Sequence, residues 1–99
     1  MENVKCVKLV SGEDIICQFE ENLISSKCVV RDPIQIAPVP SRNGEPNFMF
    51  IPYPLYTKDK ELTIPIEHII FVCEPAEEFE NQYTSLLTGI VTPPKKLIV

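Results

Sequence analysis

Prolines set inside apolar, strand-like runs constrain this chain more than any other feature. A proline offers no N–H to a ladder, so it is confined to strand ends, edges and bulges. "FMFIPYPLY" (48–56) carries Pro52 and Pro54 two residues apart, which strips donors from one side of the strand only. That predicts an edge strand whose other side is paired. "ELTIPIEHIIFVCEP" (61–75) has Pro65 in mid-run. A continuous central strand is excluded there, and two short strands, "ELTI" (61–64) and "IIFVCE" (69–74), are predicted around the tight turn "PIEH". In "KCVVRDPIQIAPV" (27–39), Pro33 and Pro38 demote the second half to an edge or a bent continuation.

Alternation supplies the remaining strands. "VKCVKLV" (4–10), "SGED" and "IICQFEE" (15–21) read as a β-hairpin. Val7, Leu9, Ile15, Cys17 and Phe19 fall on one face, Lys8 and Gln18 on the other, and Gly12 supplies the turn. "NLISS" connects to the next strand, "PSRNGEPN" (40–47) is a loop and "TKDK" (57–60) a solvated turn. The period then changes. "PAEEFENQYTSLLTG" (75–89) places Phe79, Tyr83, Leu86, Leu87 and Ile90 on a helical stripe. Pro75 suits the first helical position, Glu77, Glu78 and Glu80 the positive end, and Gly89 the C′ site. The tail "IVTPPKKLIV" is extended, and its apolar end is expected to pack on its own domain or a neighbour. The fold class expected is mostly β: a small, strongly bent, open β-barrel in a single domain over 1–99. Strands occupy about 4–74, one C-terminal α-helix covers an open end over about 75–88, and the tail spans 90–99.

Composition narrows the function. With 44% hydrophobic and 23% charged residues, the chain suits one small core. The net charge of -5 argues against a chain-wide grip on nucleic acid. Much of the acid excess lies in "CEPAEEFE", which leaves room for a local basic rim. No apolar stretch approaches the roughly 20 residues of a spanning helix, and "MENVKCVK" lacks a secretory apolar region. A soluble, cytoplasmic protein is expected. Cys6, Cys17, Cys28 and Cys73 lie in β-prone runs without a C-x-x-C pair, so they read as free, buried thiols in a reducing compartment. No metal spacing is present and no cofactor is implied.

"VKLVSGEDIICQFEE" followed by "KCVVRDP" resembles the first half of an Sm/LSm-like protein, through Val7, Leu9, Gly12, Ile15, Cys17, Phe19, Cys28, Val30 and Asp32. "LTIPIEHIIFV" resembles the second half, a strand, a tight turn and a final strand. The likeness covers roughly two-thirds of the chain and consists mainly of hairpin pattern. The order is also similar to small Sm-like proteins of tailed-phage, cyanophage type, in which a C-terminal helix replaces the usual N-terminal one. Phe79, Tyr83, Leu86 and Leu87 would then seal the barrel. Departures exist. Pro65-Ile66 stands where the family has Arg-Gly, Lys27 aligns with the base-contacting Asn, and Glu20 or Glu21 only approximates its acidic partner. The standard uridine pocket is not preserved.

What the resemblance implies is a homo-oligomeric ring of five to seven subunits, its last two strands pairing between subunits. The loop at 21–27 and the turn at 65–68 would face the central opening and bind single-stranded RNA or DNA, with no membrane partner. Lys27 would contact phosphate and Asn22 and Ser26 would read base edges. Glu67 and His68 would line the rim, His68 stacking or hydrogen-bonding. Arg31, Arg42, Lys58, Lys60, Lys95 and Lys96 are further cations, and a ring multiplies each one. As turn formers, Asn22, Ser25 and Ser26 need no ligand. Phe48, Phe50, Tyr53 and Tyr56 suit base stacking or a subunit interface, and the interface is favoured because an exposed aromatic edge invites aggregation.

Glu67 and His68 are adjacent on an extended run, point apart, and lack a nucleophile pattern. No enzyme is expected. The alternative to nucleic-acid binding is a phage accessory protein using the ring as a protein scaffold. A small hydrolase would have only the lone histidine behind it.

Overall fold

Alternation and proline punctuation become strands in the predicted order. The computed structural model describes residues 3–22, 24–40, 44, 47–54 and 56–88. Within them lie β1 (Val4–Leu9), β2 (Asp14–Asn22), β3 (Lys27–Val39), β4 (Asn47–Pro52) and β5 (Glu61–Pro65). A 3-10 turn (Ile66–His68), β6 (Ile69–Cys73) and α1 (Glu77–Thr88) follow. The protein is mostly β, an antiparallel six-stranded sheet followed by one helix. Its order is β4-β3-β2-β1-β6, with β5 also on β3. Thus β5 and β6 do not form a hairpin with each other. β5 pairs with β3, β6 pairs with β1, and the 3-10 turn links the two.

Strand β3 organises the sheet. Its first half, Lys27–Arg31, pairs with β5, and its second half, Ile34–Val39, with β4. Between them the β2 register jumps from Ile16↔Ile34 to Gln18↔Arg31. Asp32 and Pro33 therefore oppose Cys17 alone, a bulge that bends the strand. Asp32 has φ 49°, its N–H donates to the Lys60 carbonyl at 2.6 Å, and its carboxylate accepts from Gln18 Nε2 at 3.2 Å.

The proline positions obey donor accounting. The Tyr53 N–H donates to the Pro33 carbonyl at 3.2 Å, so odd residues of this half face β4 and even ones face β2. Pro38 consequently faces β2 beyond the last rung, Asp14↔Ile36. Pro52, opposite Ile34, turns its nitrogen away from β3. β4 is an edge, as predicted. The second half of β3 is not: it is paired on both sides as far as Ile36.

Both faces of the sheet are covered. One carries Val7, Leu9, Ile15, Cys17 and Val30, flanked by Phe19, Tyr53, Leu62, Ile64 and Ile69. The opposite one carries Val4, Ile16 and Phe50 beneath Tyr83, Phe79, Leu86 and Leu87. Helix α1 therefore lies over a sheet face instead of plugging an open end. The physical reason is in β2, where Ile15, Ile16 and Cys17 are consecutive and all fully buried, as in a strand packed on both sides. Among the described residues no ladder joins β5 to β6, so the sheet is open.

At the start of α1 the Ala76 carbonyl accepts from the N–H groups of Phe79 and Glu80, each at 3.0 Å. Ala76 is thus the cap, and Pro75 precedes it instead of taking the first helical position. Gly89, Ile90, the tail over 90–99 and Arg42 lie outside the described residues. No described helix is long and apolar enough to cross a membrane.

Candidate functional site

The two connections singled out in the sequence meet at one end of the sheet. Asn22 closes β2 opposite Lys27, and Lys27 opens β3 opposite Pro65, the last residue of β5. The Ile66 N–H donates to the Ser26 carbonyl at 3.1 Å, and the Val10 N–H to the His68 carbonyl at 2.9 Å. These bonds pin the 3-10 turn between the β1–β2 and β2–β3 connections. Asn22, Ser26, Lys27, Glu67 and His68 are thereby brought to one end of the sheet, all five exposed.

Their chemistry differs. Asn22 Oδ1 accepts from the N–H groups of Ile24 at 3.1 Å and Ser25 at 3.2 Å. Its acceptor thus serves the turn, and its amide NH2 remains for other partners. Ser26 holds the chain at φ 56°. Among the described residues, Lys27, Glu67 and His68 make no side-chain hydrogen bond or ion pair. Glu67 and His68 sit on a 3-10 turn with no buried residue, not on a strand, so the opposite-face argument does not apply to them. His68 borders a shallow recess lined by Leu9, Val10, Tyr53, Ile64 and Pro65.

Among the described residues three other cations, Arg31, Lys5 and Lys8, are ion-paired. The Arg31 guanidinium is held between Glu61 at 2.7 Å and Glu20 at 3.3 Å, and the Glu61 carboxylate chiefly raises its pKa further. Lys5 pairs with Glu74, and Lys8 with Asp14 at 3.3 Å. Lys58 and Lys60 lie beside Asp59 and Asp32 around a separate recess with Pro33, Pro52 and Leu87. Lys95 and Lys96 fall outside the described residues.

The aromatic stretch packs partly within the chain. Phe48 and Phe50 pack on Phe79, with centroids 5.3 and 5.9 Å away. They help seat α1, and Phe48 stays 38% exposed. Tyr56 alone of the four stands 90% exposed. Exposed apolar surface lies also on β6, at Ile70 (57%), Phe71 (52%) and Val72 (39%). Read as sequence, that run looks like a core strand, which hid it.

Cysteines depart from expectation at the exposed Cys73 and in part at the half-buried Cys6. Burial pushes the Cys17 thiol up to about 12 and raises that of Cys28, but Cys73 is exposed. Tyr83, read only as part of the helical stripe, has a further role. Its fully buried ring brings the hydroxyl within 3.2 Å of the Arg31 carbonyl and 3.0 Å of the Asp32 carbonyl, tying α1 to the β3 bulge. A tyrosine within a buried stripe of otherwise apolar residues was the available signal, since a buried hydroxyl needs a partner. No protein-family model matches the chain, and no curated protein is significantly similar to it.

Proposed function

We propose that this chain is a non-enzymatic, Sm-like protein that assembles into a ring and binds single-stranded nucleic acid, RNA or DNA, at the pore. One observation carries the reading. The β2–β3 connection and the 3-10 turn meet around Lys27, which has no carboxylate partner among the described residues. The order along the chain, a hairpin, a third strand and then β5 and β6 around a short turn, is also what the Sm-like resemblance implies. β4 is then an added strand. Among the described residues β5 and β6 each have only one partner strand. Pairing β6 of one copy with β5 of the next would occupy the free backbone side of both strands and bring Ile70, Phe71 and Val72 to the subunit junction, with β4 left as an edge. Lys27 then recurs in every subunit around the opening, beside Glu67, so each subunit adds one phosphate contact despite the net charge of -5. The Asn22 amide and His68 offer donors and a ring face to unpaired bases.

Titrating mixed-sequence RNA and DNA oligonucleotides by fluorescence anisotropy at stepped salt tests this. Affinity should fall linearly on a log–log salt plot, and Lys27→Ala should weaken binding and reduce the slope while the assembly persists. An assembled protein without affinity even at low salt would remove the nucleic-acid reading. That outcome would favour the scaffold alternative, which already has the Arg31 ion pairs and the turn-bound Asn22 acceptor on its side.

A further inference from the structure

Cys6 on β1 and Cys73 on β6 are direct partners in the antiparallel register. Directly opposed residues project from the same face, with Cα atoms about 4.5 or 5.5 Å apart according to the type of pair. Both separations lie inside the range of roughly 4.4–6.8 Å that a disulfide spans. Cys6 is half-buried against the cluster beneath α1, and Cys73 is exposed at the sheet's edge strand. Cys17 and Cys28 are fully buried. All four are free thiols.

We infer that Cys6 and Cys73 form a thiol–disulfide exchange site that takes low-molecular-weight disulfides of the glutathione type as oxidant. The Cys73 thiolate attacks one sulfur of the small disulfide, forming a mixed disulfide and expelling one small thiolate. The Cys6 thiolate then attacks the Cys73 sulfur, closing the Cys6–Cys73 bond and expelling the second small thiolate. The two protons given up by the cysteines pass to the leaving thiolates. The protein dithiol is oxidised by two electrons and the small disulfide is reduced to two thiols. The order of attack follows from access, and burial, which holds the Cys6 thiol at about 11, agrees with Cys73 reacting first. Oxidation staples the edge strand β6 to β1. Strand pairing along the free edge of β6 uses backbone groups at right angles to the side chains, so the site stands independently of ring assembly.

The test equilibrates the native protein with mixtures of reduced and oxidised glutathione, quenches with acid, alkylates under denaturing conditions and maps the peptides. The expected product has a mass lower by two hydrogens and carries a Cys6–Cys73 link. Cys17 and Cys28 should be alkylated, and the oxidised fraction should not depend on protein concentration. Cys6→Ser, or Cys6→Ala where the serine variant fails to fold, should stop at a mixed disulfide on Cys73. Cys73→Ser should not react. A wild-type product that rests at the mixed disulfide, a Cys73–Cys73 linked dimer, or thiols unchanged by excess oxidised glutathione would each overturn the inference.

Discussion

Tyr83 joins the helix to the sheet by packing and by hydrogen bonding. Its ring fills the space between α1 and the sheet, and its hydroxyl reaches the two carbonyls on the N-terminal side of Pro33. Asp32 belongs to the bulge, where no β2 residue stands squarely opposite, so its carbonyl is served by a donor from outside the ladder. Tyr83→Phe keeps the packing and removes that donor. Unfolding in urea should show a loss of about 1–3 kcal/mol with an unchanged denaturant slope. At this scale Tyr83 was legible as an apolar stripe residue and no further. Its hydrogen-bond partners lie more than fifty residues away in the chain, beyond any local pattern. Asn22 shows the converse, since the turn it builds is local and its residue type announced it.

The elements were largely readable, because period and proline position act over a few residues. The two short strands around Pro65 and the helix stand where spacing predicted them, while the edge strand expected over 48–56 runs only over Asn47–Pro52. What each element rests on was less legible. The twelve-residue α1 is too short for independent stability in water, so it depends on the sheet face presented by Val4, Ile16 and Phe50. Phe79→Ala removes its contacts with Phe48 and Phe50. The ring is only partly buried, so the expected loss is about 2–3 kcal/mol, near or below the low end for truncating a core phenylalanine. Hydrogen exchange should show α1 and β4 losing protection together. Protection lost from α1 alone would mean the aromatic contacts do not couple the two.

For the whole molecule, the exposed face and free edge of β6 pose the question of assembly. A short apolar edge strand with Ile70 and Phe71 more than half exposed is a liability in an isolated chain. The proposed ring resolves it, and Phe71→Glu tests that arrangement. Sedimentation should find the wild type as a closed oligomer and the variant as a monomer with the same circular dichroism. A monomeric wild type at all concentrations would dispose of the ring and of the multiplied Lys27 together.

By itself the sequence determined the order and type of the elements, the turn chemistry at Asn22 and Gly12, and the exclusion of proline nitrogens from ladders. Each of these depends on neighbours along the chain. The tertiary structure alone decided that β5 and β6 pair with different strands and that α1 covers a sheet face. It also decided that Arg31 is held by carboxylates, that Cys6 faces Cys73, and that Ser26 and Ile66 join two distant connections. These are pairings across long sequence separations. Many alternatives share the same local pattern, and only the simultaneous burial of both sheet faces selects among them.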